Sequence, residues 1–239
     1  IPNTLGVYGT DGAQDTLRAV LAPQVVETTA RLQHFVVETA KVARQFLKAV
    51  GTHTPLQELQ LTELNVKTPD AAVKDMLAPL LAGHDVGLLS DAGCPAVADP
   101  GARLVEAAHA ADVRVVPLVG PSSLLLALMG SGLNGQKFAF HGYLPIDAAA
   151  RLKEIKRLES ESKAHAQTQL FIETPYRNMP LLDTLLKTLN ANTQLCVAAD
   201  LTLPSETIRM HRVGEWQKRL KQGQGLALNK RPSIFLFLA

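Results

Sequence analysis

Asp85-Val86-Gly87-Leu88-Leu89-Ser90-Asp91-Ala92-Gly93-Cys94-Pro95-Ala96-Val97-Ala98-Asp99-Pro100-Gly101 decides the fold, because it joins two kinds of chain within seventeen residues. As far as Ser90 it is an apolar run of strand length. The remainder is too rich in Gly and Pro to continue either a strand or a helix. A helical segment at 102–111 follows, then a strand-like run at 113–118. The turn Gly120-Pro121-Ser122-Ser123 leads into an apolar helix ending near Gly130. Strand, loop and helix thus occur twice in succession, the signature of an α/β fold with a parallel sheet.

Upstream the same alternation holds. His34 to Glu38 reads as a strand, and Thr39 is placed to cap the next helix, in which Val42, Phe46, Leu47 and Val50 recur at helical spacing until Gly51 stops it. Thr68-Pro69-Asp70 starts a further helix that carries Val73, Leu77, Leu80 and Leu81 toward the core and ends at Gly83. Downstream, Ser131 to Gln136 places two glycines and an asparagine between apolar elements and marks the expected domain boundary. The second half predicts strands at 138–144, 169–173, 194–200, 206–213 and 234–238, with helices at 147–163, 179–189 and 216–220. The expectation is therefore two α/β domains, 1–134 with a mainly parallel sheet and 135–239 with a mixed sheet.

Composition narrows the class. The 239 residues are 46% hydrophobic and 19% charged, an ordinary globular balance. A net charge of +2, from 24 basic and 22 acidic side chains, gives no chain-wide field for non-specific nucleic-acid binding. An RNA substrate then needs a local patch, for which Arg212, Lys218, Arg219, Lys221, Lys230 and Arg231 are the candidates. Cys94 and Cys196 belong to no metal-ligand or redox pattern, so neither zinc nor a disulfide scaffold is expected. No apolar run approaches the roughly 20 residues of a membrane span and no signal segment opens the chain, so the expected location is the cytoplasm. The first residues, Ile1-Pro2-Asn3-Thr4-Leu5-Gly6, read as a loop, and a short strand is expected to precede them.

Loops 90–101 and 119–123 each leave the carboxyl end of an expected parallel strand, the edge at which open α/β sheets bind ligands. Neither carries the G-x-G-x-x-G of a dinucleotide fold or the G-x-x-x-x-G-K-[ST] of a phosphate loop. Ala92 and Gly93 allow close backbone approach to a ligand, and Ser122 and Ser123 offer hydroxyls at a helix start. The same residues also serve as plain turn formers and helix caps.

Ser90-Asp91-Ala92-Gly93-Cys94-Pro95 with Ala98-Asp99-Pro100-Gly101 resembles the S-D-A-G-x-P and D-P-G motif of the tetrapyrrole-methylase superfamily, in the branch that methylates ribose 2'-hydroxyls of small-subunit ribosomal RNA. Gly120-Pro121-Ser122-Ser123 is similar to its second motif, and Glu173-Thr174-Pro175-Tyr176-Arg177 to its E-x-P-x-R element. The resemblance implies an S-adenosylmethionine-dependent methyltransferase, a homodimer with the cofactor between two α/β domains. By position it implies cofactor contacts at Pro2, Ala92, Gly93, Cys94, Val97, Ser122, Ser123, Thr174 and Ala199. Two segments depart from the branch: Ile1 to Gly6 stands where T-P-I-G-N-L is usual, and Val37-Glu38-Thr39-Ala40-Lys41 where C-E-D-T-R is usual.

Methyl transfer to a hydroxyl requires alignment of donor and acceptor and removal of one proton. Glu38, Asp91 and Glu173 are the candidate bases, and Lys41 and Arg177 the candidate substrate or phosphate contacts; ordinary ion pairs and caps use the same residues. His141, between Phe140 and Tyr143, reads as a hydrogen-bonded packing residue. Two other functions remain open at this point. One is a carbon methyltransferase acting on a tetrapyrrole or other small molecule. The other is a degenerate module that binds cofactor without transferring methyl.

Overall fold

The computed structural model describes residues 1–6 and 13–239. The chain divides into two compact units, Ile1–Ser122 and Ser123–Ala239.

The first unit opens with helices α1 (Ala13–Val20) and α2 (Pro23–Arg31), then β1 (His34–Val37), α3 (Ala40–Val50) and β2 (Gln60–Glu63). Helices α4 (Asp70–Asp75) and α5 (Ala78–Leu81), strand β3 (Val86–Leu89) and helix α6 (Ala102–Ala110) complete it. The sheet has the order β2-β1-β3 and both pairings are parallel, with His34 opposite Gln60 on one side and Val86 on the other. A central parallel strand is buried on both faces, and β1 alternates accordingly. Phe35 and Val37 join a core with Phe46 and Leu47 of α3. Val36 turns to a second core with Val73, Met76 and Leu104. Helix α3 ends where Gly51 takes φ +78°, a left-handed turn that costs glycine no steric penalty.

Three expectations for this unit are corrected. Thr39 precedes α3 without capping it; its hydroxyl donates instead to Asp91 Oδ2 at 2.8 Å. The helix expected from Asp70 to Gly83 breaks after Asp75 and resumes only as Ala78–Leu81. Pro79 lacks an N–H, and its ring crowds the carbonyl four residues back, which is that of Asp75. Residues 113–118 form no strand. Their valines favour extended chain, but propensity alone does not make a strand: no described strand is hydrogen-bonded to them, and Val116 is 56% exposed.

The second unit contains α7 (Ser123–Ser131), β4 (Phe138–Tyr143), α8 (Ala148–His165), β5 (Thr168–Glu173) and α9 (Asn178–Thr188). Then come β6 (Gln194–Ala199), β7 (Thr207–Arg212), α10 (Val213–Lys221) and β8 (Ser233–Leu238). The sheet order is β4-β5-β8-β6-β7, with β4 and β5 parallel and the other pairings antiparallel. One face meets α7, where Ile208 Cδ1 lies 2.5 Å from the position a Cβ on Gly130 would take. The other face packs on Ile155 and Leu158 of α8, Leu181 and Leu185 of α9, and Trp216 of α10. Phe171 and Phe235 stack there at 5.9 Å, and Trp216 Nε1 donates to Leu195 O at 2.8 Å. Because α7 packs on this second sheet, the units divide before it, at 122/123, and not at the turn 131–136.

Candidate cofactor and active site

In the first unit the carboxyl ends of β1 and β3 carry the residues that the loop motifs singled out. The opening residues lie directly against loop 90–101. Asn3 N donates to Gly93 O at 2.8 Å, and Gly93 N to Thr4 O at 3.2 Å. The buried Asn3 side chain donates to both Ser90 O and Asp91 O at 3.1 Å. Gly93 has φ +68°, and a Cβ on it would stand 3.1 Å from Leu5 Cδ2 and 3.4 Å from Pro121 O. Glycine is required here by backbone conformation and by space together.

Two sharply bent positions shape the rest of the loop. Ala96 and Ala98 both hold positive φ, 65° and 60°, which is uncommon for residues with a Cβ and concentrates at functional sites. Asp99 supports them, since its Oδ1 accepts from Ala96 N at 2.9 Å and Gly101 N at 2.7 Å. Its Oδ2 is buried and has no hydrogen-bond partner among the described residues. Val97, between the two alanines, is 48% exposed, and Ala92 is exposed as well. Small and apolar side chains therefore face outward where the backbone is bent.

The second loop is braced against the first. Cys94 Sγ donates to Pro121 O at 3.4 Å, and Gly120 approaches Pro2 so closely that a Cβ there would overlap the Pro2 ring. Pro2 is thus buried as a packing element beneath the loop. Burial pushes the Cys94 thiol upward in pKa, so the sulfur is a hydrogen-bond donor and not a nucleophile. Ser122 is half-buried at the end of this loop, and Ser123 opens α7 in the second unit.

Glu38 and Asp91 form a carboxylate pair at the strand ends. Glu38 Oε2 accepts from Asp91 N at 3.1 Å, while Asp91 Oδ2 accepts from the Thr39 hydroxyl. Burial raises the pKa of Glu38; the Asp91 amide opposes that shift, and the charges of Asp91 and Asp99 add to it. Lys41 is exposed on α3 and forms no ion pair among the described residues.

In the second unit the E-x-P-x-R element is a closed latch. Glu173 is buried, and its Oε1 accepts from Thr174 N at 2.6 Å, from Arg177 Nε at 2.9 Å and from Arg177 Nη2 at 2.7 Å. Arg177 Nε also reaches Thr174 Oγ1 at 3.1 Å. Ala199 is fully buried, its methyl in the core below the sheet, so only its backbone is available at the strand end. Sequence patterns did not single out the neighbouring Asp200, which holds φ +53° and accepts from Arg231 Nε at 2.6 Å and Ser205 Oγ at 2.9 Å. Nor did they mark Asn178, whose Nδ2 reaches Leu228 O, Arg231 O and Ser233 Oγ. Single polar residues without periodicity leave no signal of such networks. His141 is hydrogen-bonded to Gln169 Oε1 at 2.6 Å, as a packing residue would be.

A parallel three-stranded sheet followed by a mixed five-stranded sheet is the fold of a solved methyltransferase. The crystal structure of the methyltransferase CobJ matches 91% of this chain and 88% of its own at a TM-score of 0.57 and 18% identity, a likeness of fold. No family model matches the chain. Among curated proteins, ribosomal RNA small subunit methyltransferase I of Xylella fastidiosa is 33% identical over 202 residues, 81% of this chain and 71% of the relative. The protein of the same name from Escherichia coli O157:H7 is 31% identical over 229 residues, 94% and 72% of the two chains, and that from Mesorhizobium japonicum is 34% identical over 82% and 62%. The chain belongs to the ribosomal RNA small subunit methyltransferase I family, and it is a methyltransferase. It spans between about 62% and 72% of the length of these three relatives.

Proposed function

We propose that this protein transfers a methyl group from S-adenosylmethionine to a ribose 2'-hydroxyl of small-subunit ribosomal RNA. The observation that carries the reading is the arrangement of Gly93, Cys94 and Gly120 in two braced loops at the carboxyl ends of parallel strands, in a chain of this family. The exposed Ala92 and Val97, the backbone around Gly93 and the Ser122 hydroxyl suit a ligand with both apolar and polar parts. The cofactor supplies an electrophilic methyl on a sulfonium. Glu38 is assigned as the proton acceptor: no partner of its Oε1 occurs among the described residues, and its pKa is raised toward the working range of a general base. Asp91 positions it through the backbone amide. Glu173 is better read as the structural half of the latch with Arg177, because its carboxylate is buried and already paired.

Two copies of the chain are part of the reading. Its support is the edge strand β4 and the exposed Leu125, Met129, Phe138 and Ile146, with exposures from 42% to 79%. The reading also places the enzyme in the cytoplasm with its RNA substrate; no helix among the described residues is long and apolar enough to cross a membrane. The test is transfer of radiolabelled methyl from S-adenosylmethionine to purified small-subunit RNA, followed by alkaline hydrolysis. A 2'-O-methyl group removes the internal nucleophile, so the label should appear in a dinucleotide that resists alkali; label in mononucleotides would refute the ribose assignment.

A further inference from the structure

The net charge of +2 conceals a strong local excess. Residues 207–221 hold Arg209, Arg212, Lys218, Arg219 and Lys221 against one carboxylate, Glu215, a balance of +4; the rest of the chain therefore carries −2. These residues are β7 and α10, and β7 is the edge strand of the second sheet.

The structure gathers these charges along the edge strand and the helix that follows it, with Arg212 at the turn between the two. Side chains of a strand alternate, so Arg209 and His211 share the face on which α10 packs, and the His211 ring meets Trp216 edge-on at 5.1 Å. Burial lowers the pKa of His211, the positive charges of Arg219 and Arg209 add to that, and Glu215 opposes it. Arg219 pairs with Glu215 at 3.1 Å. Arg209, Arg212, Lys218 and Lys221 are exposed and meet no carboxylate among the described residues. Arg212 is steadied at the strand end by a bond from Nη1 to Asn192 O at 2.7 Å. Arg231, expected from sequence to belong to this cluster, is committed to Asp200.

Charges on an edge strand discourage edge-to-edge pairing, and cations in the last turn of a helix offset its dipole. Those effects explain single residues. They do not explain four unpaired cations grouped on an otherwise acidic chain, and α8 shows the contrast: there Arg157 is paired with both Glu154 and Glu161. The patch also lacks an exposed aromatic ring, because Trp216 is fully buried. It therefore offers point charges and guanidinium forks but no platform for stacking bases.

We propose that the β7–α10 surface docks RNA by its phosphate backbone, without reading sequence. The proposal rests on the RNA-methyltransferase reading above and adds to it a surface remote in sequence from the cofactor loops. The test uses the whole chain and a 40-nucleotide single-stranded RNA, with binding measured across a range of potassium chloride concentrations. Replacing Arg209, Arg212, Lys218 and Lys221 together by Gln should reduce the magnitude of the slope of log K against log salt by about 3, at about 0.7 for each phosphate no longer neutralised. The pair Arg209→Gln and Arg212→Gln should give about half of that. S-adenosylmethionine affinity and thermal midpoint should not move, so loss of RNA docking is distinguishable from failure of the methyltransferase reading, in which the cofactor itself does not bind. An unchanged slope overturns the proposal. So does an equal change from Lys153→Gln with Lys156→Gln on α8, or a loss confined to anionic phospholipid vesicles, which would mark the patch as a membrane contact.

Discussion

The Asp91 amide donates to Glu38 Oε2 at 3.1 Å, joining the ends of two neighbouring parallel strands through residues 53 positions apart. The bond aims Glu38 while the loop that bears Asp91 forms the proposed cofactor wall, so the proton acceptor and the cofactor loop are set by one contact.

Glu38→Gln keeps an acceptor for that amide and removes the charge. Because burial raises the native pKa of Glu38 above its usual 4.5, its titration favours the folded state below about pH 4.5 and this contribution is lost as pH rises through the native value. The substitution should therefore stabilise the protein slightly at pH 7.5, within about 0.5 kcal/mol, and the difference should vanish near pH 4 in thermal melts. Methyl transfer at pH 7.5 should fall by about 100-fold or more.

Gly93 stands at φ +68° with Leu5 and Pro121 against it. Gly93→Ala should destabilise by about 1 to 2 kcal/mol, the cost of a Cβ in a left-handed conformation. Gly93→Leu should in addition abolish S-adenosylmethionine binding while circular dichroism still reports a folded chain.

Much of this was legible in the sequence, and the failures have physical causes. The loop at 90–101 announced itself because glycine and proline break periodicity, and the central strands β5, β6 and β8 of the second sheet because buried strands are apolar. Strand β2 left no such trace: Gln60 to Glu63 is a polar, mostly exposed edge strand, defined only by its bonds to β1. Thr39 looked like a cap because caps are local, whereas its actual partner, Asp91, lies 52 residues away. The latch between Glu173 and Arg177 was visible as spacing, but its closure was not, since burial of a carboxylate is a tertiary property.

Breaking that latch should be costly. Arg177→Met leaves the Glu173 carboxylate buried with one backbone donor and should destabilise by about 2 to 3 kcal/mol, less than for a fully buried pair because the Arg177 side chain is 34% exposed. Adding Glu173→Gln should recover part of the loss, a coupling that a double-mutant cycle in urea will measure.

Cys94 reaches across to Pro121 O with its thiol. Cys94→Ala should weaken S-adenosylmethionine binding by about two- to fivefold, in line with loss of one weak hydrogen bond. Cys94→Ser, which restores a donor, should bind nearly as the parent does, and calorimetry separates the two.

The most direct measurement of the central claim is calorimetric titration of the purified chain with S-adenosylmethionine, beside its Gly93→Leu variant and with a nicotinamide dinucleotide as control. The account predicts saturable binding of the methyl donor by the parent chain, no binding by the variant, and none of the dinucleotide. Absence of binding by the parent, or equal affinity in the variant, would contradict the placement of the cofactor in these loops.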